Sequence, residues 1–284
     1  MTETVSNANE TPLQEALDTR FLDAPRVVPE AADAPALTTM AARGSCRRFT
    51  DRAVPRPLID TLSALALSSP TKSDLQQRDI IVIDDDGLRA RLATLVGGQA
   101  WVADAPRLLV FCGNNRRQRL LHAEANVPFA NDHFDAVFNA ACDAAIALGA
   151  FTAAADAVGL GTCPISAVRN EARAVADLLS LPDHVFPFAG LAVGWPDAPP
   201  RIAKRLPLAA TLHTDRYSEA ALPAALTAYD ADRAATQPYR TQRFEQSFGT
   251  ADPYTWSEDK VRQYSQPERA DFGAYIRTIG FKLD

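Results

Sequence analysis

Cysteine and histidine are scarce in this chain, with four of each in 284 residues. Cys46, Cys112, Cys142 and Cys163 are scattered, without the close pairs that chelate zinc or the density of a disulfide-stapled domain. The histidines form no HxH or HxxxH pair, so we expect no metal site. A basic surplus is also missing. The formal charge is −6, which argues against a protein that coats nucleic acid but leaves room for a local pocket for a small anion. The longest apolar candidate, Ala140 to Ala155, is interrupted by Asp143 and Gly149, so we expect no membrane span. The N-terminus shows no basic stretch leading into an apolar one, and we expect no secretory signal. A reducing cytoplasm is the compartment these absences suggest.

What is present is a globular pattern behind an unlike N-terminus. Residues 1–36 carry seven acidic and two basic residues with Pro12, Pro25, Pro29 and Pro35. Gln14 to Phe21 suits a short helix and the rest reads as an extended arm, either a disordered tail or an arm lying on a partner subunit. From residue 37 to 284 we expect one layered domain, with a C-terminal extension from about residue 218. Its expected helices are Leu37–Arg43, Leu58–Leu67, Leu88–Val96, Phe134–Val158 and Asn170–Leu179. The expected buried strands are Asp79–Ile83, Arg107–Cys112 and Phe186–Val193. The Ala-rich stretch from Phe134 suits a central or interface helix, ended by Gly159-Leu-Gly161.

Five segments carry side chains suited to a polar, anionic heterocycle. Arg43-Gly44-Ser45-Cys46-Arg47 offers arginine forks that grip phosphate with paired bonds, and a hydroxyl for a ring edge. Pro70-Thr71-Lys72-Ser73 offers donors in a loop of turn formers. In Gly97-Gly98-Gln99 the glycines permit close backbone approach, and the amide can face a donor and an acceptor of a uracil-like edge. Pro164-Ile165-Ser166-Ala167 is a small-residue stretch able to lie against an aromatic ring. Lys204-Arg205 before Leu-Pro207 is a basic pair able to close over a phosphate. Each of these alone is as well explained by a solvated turn, a helix cap or a plain connection.

Taken in order, they resemble the nitroreductase family of FMN-dependent oxidoreductases, and within it the larger NADPH-dependent group of oxygen-insensitive nitroreductases and flavin reductases. The matching segments are Arg-Gly-Ser-Cys-Arg-Arg-Phe-Thr-Asp at 43–51, Gly-Gly-Gln at 97–99 and Gly-Leu-Gly at 159–161. The most specific is Leu-Pro-x-His-Val-x-Pro-x-x-Gly-Leu-x-x-Gly-Trp-Pro at 181–196, extended by Arg-Leu-Pro at 205–207 and Trp256-Ser-Glu258.

The resemblance implies an α+β fold, a central mixed sheet flanked by helices, in an intertwined homodimer with terminal extensions. It implies FMN held by Arg43, Gly44, Ser45, Cys46, Arg47, Thr71, Gln99, Pro164, Ile165, Ser166, Ala167, Lys204 and Arg205. NADPH, with NADH as an alternative, would be the hydride donor, with Arg240 and Arg243 as its basic contacts. The implied chemistry is ping-pong: the flavin takes a hydride and passes it to a small aromatic acceptor such as a nitroaromatic or a quinone. No side-chain acid or nucleophile is then required. The chain departs from the family pattern at Arg43 (usually histidine), Gly44 (arginine), Ala203 (lysine), Pro164 (aromatic), and Ser166 and Ala167 (glycines). Those at Arg43, Gly44 and Ala203 keep a second reading in view, a flavin-binding sensor or partner module without turnover. A third is a thiol enzyme using Cys46, whose arginine neighbours would lower its pKa.

Overall fold

The computed structural model describes residues 11–97 and 99–284. Residues 1–10 of the expected arm, and Gly98 of the Gly-Gly-Gln segment, lie outside the described residues. The chain divides into two compact units, Met1–Gly44 with Arg201–Glu268, and Ser45–Pro200 with Arg269–Asp284.

The second unit is built on four strands, β1 (Arg78–Ile83), β2 (Arg107–Asn114), β3 (Gly161–Ile165) and β4 (Val185–Gly194), in the order β1-β2-β4-β3. Every neighbouring pair is antiparallel. The parallel element of the expected mixed sheet is confined, among the described residues, to one isolated bridge between Ser45 and Thr162. Strand β2 reads as an unbroken apolar run because both its faces are covered. Leu108, Val110 and Cys112 pack with Leu92, Val96 and Val175 on one face. Leu109 and Phe111 pack with Ile59, Leu62, Ala147 and Phe151 on the other.

The helix Phe134–Ala157 lies on that second face. Its buried positions Ala136, Ala140, Ala144, Ala147, Phe151 and Ala155 recur at helical spacing, and the alanines let its backbone come close to the sheet. By length and composition this helix could cross a membrane; 44% of its most apolar stretch is buried, in the core it helps to fill. It stops at Gly159, whose φ of +80° a side chain would strain; Leu160 N–H reaches Ala155 O at 3.0 Å and Gly159 N–H reaches Asp156 O at 3.0 Å, a Schellman closure. The C-terminal helix Phe272–Thr278 sets Tyr275 and Ile276 beside Phe186 in a further apolar cluster.

The expected elements are met to within a few residues, with two additions. Gly161–Ile165, read as a short extended piece, pairs fully with β4 as an edge strand. A 3₁₀ turn at Ser166–Arg169 precedes the helix expected over Asn170–Leu179, which is formed by Ala172–Leu178.

The first unit is helical. The short helix expected over Gln14–Phe21 is Pro12–Arg20, and the stretch read as extended holds a further short helix, Pro29–Ala32, before Pro35–Ala42. Thr11 caps the first, accepting from Gln14 N–H at 3.2 Å, with Pro12 at the position that has no donor to lose. Leu13 and Ala16 pack against Ala41, with Leu17, Val27 and Ile202 around them. The buried Gln14 side chain fixes the returning chain, accepting from Val27 N–H at 2.8 Å and donating to Pro25 O at 3.2 Å. The helices Leu222–Thr236 and Trp256–Tyr264 complete the unit. The latter starts with a capping threonine, Thr255, which accepts from Glu258 N–H at 3.2 Å.

Candidate functional site

The first unit contains a cavity of about 860 Å³. Its walls come from the end of Pro12–Arg20, the end of Pro35–Ala42, the segment Ala203–Leu208, and the helices Leu222–Thr236 and Trp256–Tyr264. Six cationic side chains line it: Arg20, Arg43, Lys204, Arg205, Arg233 and Lys260. No carboxylate does, among the described residues. Aromatic surface comes from Phe21, Tyr229, Tyr239 and Trp256, with the last packed edge-on against Tyr229 at 5.5 Å between ring centres.

The cations differ in how they are held. Lys204 Nζ lies 2.5 Å from Asp232 Oδ2, and Lys260 Nζ lies 2.5 Å from Asp259 Oδ2, so both lysines have carboxylates behind them. Arg205 is exposed and donates to the carbonyls of Ala203 (3.2 Å) and Lys204 (3.3 Å). Arg233 lies over the Tyr239 ring and donates to Tyr229 Oη at 3.4 Å, while its buried Nε has no hydrogen-bond partner. Arg20 is 7% exposed and is bonded to backbone carbonyls. Such a lining, rich in guanidinium donors and aromatic faces, suits a phosphate monoester that carries an aromatic group.

The second unit holds the other expected residues. Ser45 is exposed; it bridges to Thr162, and Cys46 N–H donates to Thr162 O at 2.9 Å. This pairing needs Gly161, because a Cβ there would sit 2.6 Å from Cys46 Cβ and Sγ. The backbone of 45–46 is thereby laid beside the start of β3, which runs on to Pro164 and Ile165, with Ser166 and Ala167 opening the next turn. Pro164 and Ser166 are exposed. The Arg47 guanidinium lies 5.7 Å from the centre of the Trp101 ring. Trp101 Nε1–H donates to Gln99 Oε1 at 2.9 Å, so Arg47, Trp101 and Gln99 form one connected group.

Thr71 enters from a separate loop. The backbone amides of Lys72 (2.9 Å) and Gln77 (2.8 Å) both donate to the buried carboxylate of Asp143 in the long helix. That tether holds a loop in which Ser73, Asp74 and Gln76 take φ values of +48°, +57° and +52°.

The structure therefore gathers Arg43, Lys204 and Arg205 in the first unit. In the second it places Ser45, Cys46 and Arg47 beside β3 or Trp101. Arg240 is exposed and, like Arg243, is not among the residues lining the cavity. Arg243 is tied to Asp259 at 3.2 Å, the same carboxylate that pairs with the lining residue Lys260.

The reactive-thiol expectation for Cys46 is corrected. Burial pushes its pKa up, against the smaller pull of Arg47 and Arg48, and its Sγ lies 3.1 Å from Arg48 O. Proximity to arginines in sequence does not activate a thiol that the fold removes from water.

Sequence reasoning missed Arg20, Arg233 and Lys260. Each is a single cation on an otherwise ordinary helix, and no local pattern marks it. Trp256 did carry a signal, as part of the Trp-Ser-Glu match.

Likeness to known proteins places the chain in the class of flavin-dependent oxidoreductases. The model of the nitroreductase family matches residues 40–195, and that of the nitroreductase family C-terminal domain matches residues 204–284. The chain belongs to the nitroreductase family. It is 31% identical over 245 residues to an FMN reductase [NAD(P)H] of Bacillus subtilis, a match covering 84% of this chain and 95% of that protein. It is 35% identical over 183 residues to an oxygen-insensitive NADPH nitroreductase of Salmonella typhimurium, covering 64% of this chain and 75% of that one. Among solved structures, NfrA2 of B. megaterium superposes with a TM-score of 0.80 at 32% identity, covering 88% of this chain and 99% of that one. The NADPH:FMN oxidoreductase from Vibrio harveyi, complexed with NAD+, gives 0.76 at 26% identity, covering 87% and 98%. The expected α+β nitroreductase fold is the fold of this chain.

Proposed function

We propose that this chain is an FMN-dependent oxidoreductase that uses NADPH, or NADH, to reduce nitroaromatics, quinones or related small aromatic acceptors. The observation that carries the reading is the first-unit cavity, in which Arg43, Lys204 and Arg205 converge with three further cations and four aromatic rings in a member of the nitroreductase family. When bound, FMN supplies the redox chemistry, taking two electrons from a reduced nicotinamide and yielding them to an acceptor.

The chain's own residues bind and orient. Arg43 and Arg205 suit the phosphate, since a guanidinium offers paired donors to two oxygens. Lys204, fixed by Asp232, contributes charge from a set position. Ser45, Cys46, Arg47, Thr71, Gln99 and Pro164 to Ala167 are proposed for the flavin's ring system. Gly44 is proposed for its backbone. The cationic side chains among these favour the anionic reduced flavin. Arg240 and Arg243 are proposed for the nicotinamide nucleotide. We propose the cytoplasm as the compartment and a homodimer as the working state.

The test is an absorbance spectrum of the purified protein, followed by anaerobic titration with NADPH and NADH separately. A flavin spectrum that bleaches with either donor is expected. A yellow protein indifferent to both would favour the sensor reading, which the departures at Arg43, Gly44 and Ala203 keep distinct. Arg205→Ala should weaken FMN retention roughly tenfold or more, in line with about 1.5–3 kcal/mol for a charged hydrogen bond. Unchanged flavin content after dialysis would remove Arg205 from the assignment.

A further inference from the structure

We infer that Arg20, which precedes the region matched to the family, is a positioning residue for the phosphate monoester of this cavity, setting the relation between the Arg43 segment and the Ala203–Arg205 segment. The inference rests on the function proposed above and deepens it.

The geometry is that of a clamp. The Arg20 guanidinium donates to three carbonyls on two segments far apart in sequence. Its Nε and Nη2 reach Ala41 O at 2.9 and 2.7 Å, its Nη2 reaches Arg43 O at 2.5 Å, and its Nη1 reaches Ala203 O at 3.2 Å. Its backbone closes the circuit, because Arg205 N–H donates to Arg20 O at 2.8 Å. One residue thus ties the backbone beneath Arg43 to the backbone beneath Arg205. Three residues on, Asp23 adds a second tie: its carboxylate accepts from Leu208 N–H at 2.7 Å and from Ala209 N–H at 2.9 Å.

Charge gives the clamp its connection to a ligand. Arg20 is 7% exposed, lines the cavity, and finds only carbonyl partners among the described residues, with no carboxylate beside it. A guanidinium stays protonated in proteins, so burial does not remove the charge. Burial first, then the nearby Arg205 and Arg43, pull its pKa below the ordinary value, the mark of a cation among cations. A buried cation of this kind needs an anion, and a phosphate reaching Arg43 and Arg205 would supply one. The arm's first described helix therefore does more than cover apolar surface: it ends in the residue that holds two phosphate-binding segments in register.

The experiment compares FMN with riboflavin, which lacks the phosphate, on the full-length protein. Arg20→Met should raise the Kd for FMN roughly tenfold and leave that for riboflavin within about twofold. Arg20→Lys, which keeps the charge and loses the fork, should fall between wild type and Arg20→Met for FMN. Equal loss of affinity for both ligands would make Arg20 purely structural and overturn the inference, as would unchanged FMN affinity. Wild-type protein that binds no FMN would instead overturn the functional reading, and this inference with it. A measurement on wild type covers the case in which the variants do not fold. FMN, but not riboflavin, should slow amide hydrogen exchange in peptides spanning residues 16–24 and 203–208. Equal protection by both ligands, or by neither, would overturn the inference.

Discussion

Removing the Asp143 carboxylate should loosen the loop that carries Thr71, and the size of the effect follows from its partners. Asp143 is 1% exposed and accepts the backbone amides of Lys72 at 2.9 Å and Gln77 at 2.8 Å. Hydrogen bonds to a charged group contribute about 1.5–3 kcal/mol each, so two set an upper range of about 3–6 kcal/mol. The exposed Lys72 can turn its amide to water once released, whereas Gln77 is 1% exposed and cannot without moving the start of β1. We therefore expect Asp143→Ala to cost about 3–4 kcal/mol, or a fall in Tm of roughly 5–7 °C for a chain of this size. Asp143→Asn retains one acceptor and should cost about half as much. Urea denaturation of both variants, with FMN affinity measured in parallel, is the assay. The positive-φ residues Ser73, Asp74 and Gln76 would relax once untethered, so FMN affinity should fall in Asp143→Ala beyond what global destabilisation explains. A stability loss under about 0.5 kcal/mol, within the range of an ordinary surface substitution, would refute the tether.

Arg262 is 1% exposed; it donates to Glu258 Oε1 (2.7 Å), Gly249 O (2.8 Å) and Arg243 O (3.0 Å), and lies over the Phe248 and Tyr254 rings. Arg262→Met should cost about 2–4 kcal/mol and expose residues 243–255 to limited proteolysis; an unchanged cleavage pattern would count against this role. His184 is held below its ordinary pKa of 6.5, by burial first and then by Arg119, so the folded state binds its proton less readily than the unfolded state. Its contribution is complete above the ordinary value and is lost as pH falls from there through the lowered folded value, so stability should decline as the pH drops below about 6.5. His184→Gln should flatten that decline, and an identical pH profile would remove His184 as its source. Cys46→Ser should retain turnover, because the buried thiol stays protonated near neutral pH; loss of activity with FMN content intact would revive a thiol mechanism.

Much of the second unit was legible in the sequence because its elements carry their environment in their own pattern. Strands β1, β2 and β4 read as apolar runs since both sheet faces are covered, and the long helix shows its buried alanines at helical spacing. Strand β3 was harder to recognise. It is five residues long, contains Pro164, and depends for its pairing on β4, more than twenty residues later. The motif residues Arg43, Lys204 and Arg205 were also legible, as short basic clusters in a familiar order.

The sequence could not reveal what surrounds those residues. Arg20 looks like a lone cation in an acidic arm, and only folding brings its fork to the carbonyls of Ala41, Arg43 and Ala203. Cys46 looked activated by its neighbours, and only folding shows it withdrawn from water. Local pattern determines which segments become helix or strand, because that choice rests on burial periodicity within a few residues. Charge state and ligand geometry depend on groups brought together across more than a hundred residues, and tertiary structure alone decides them.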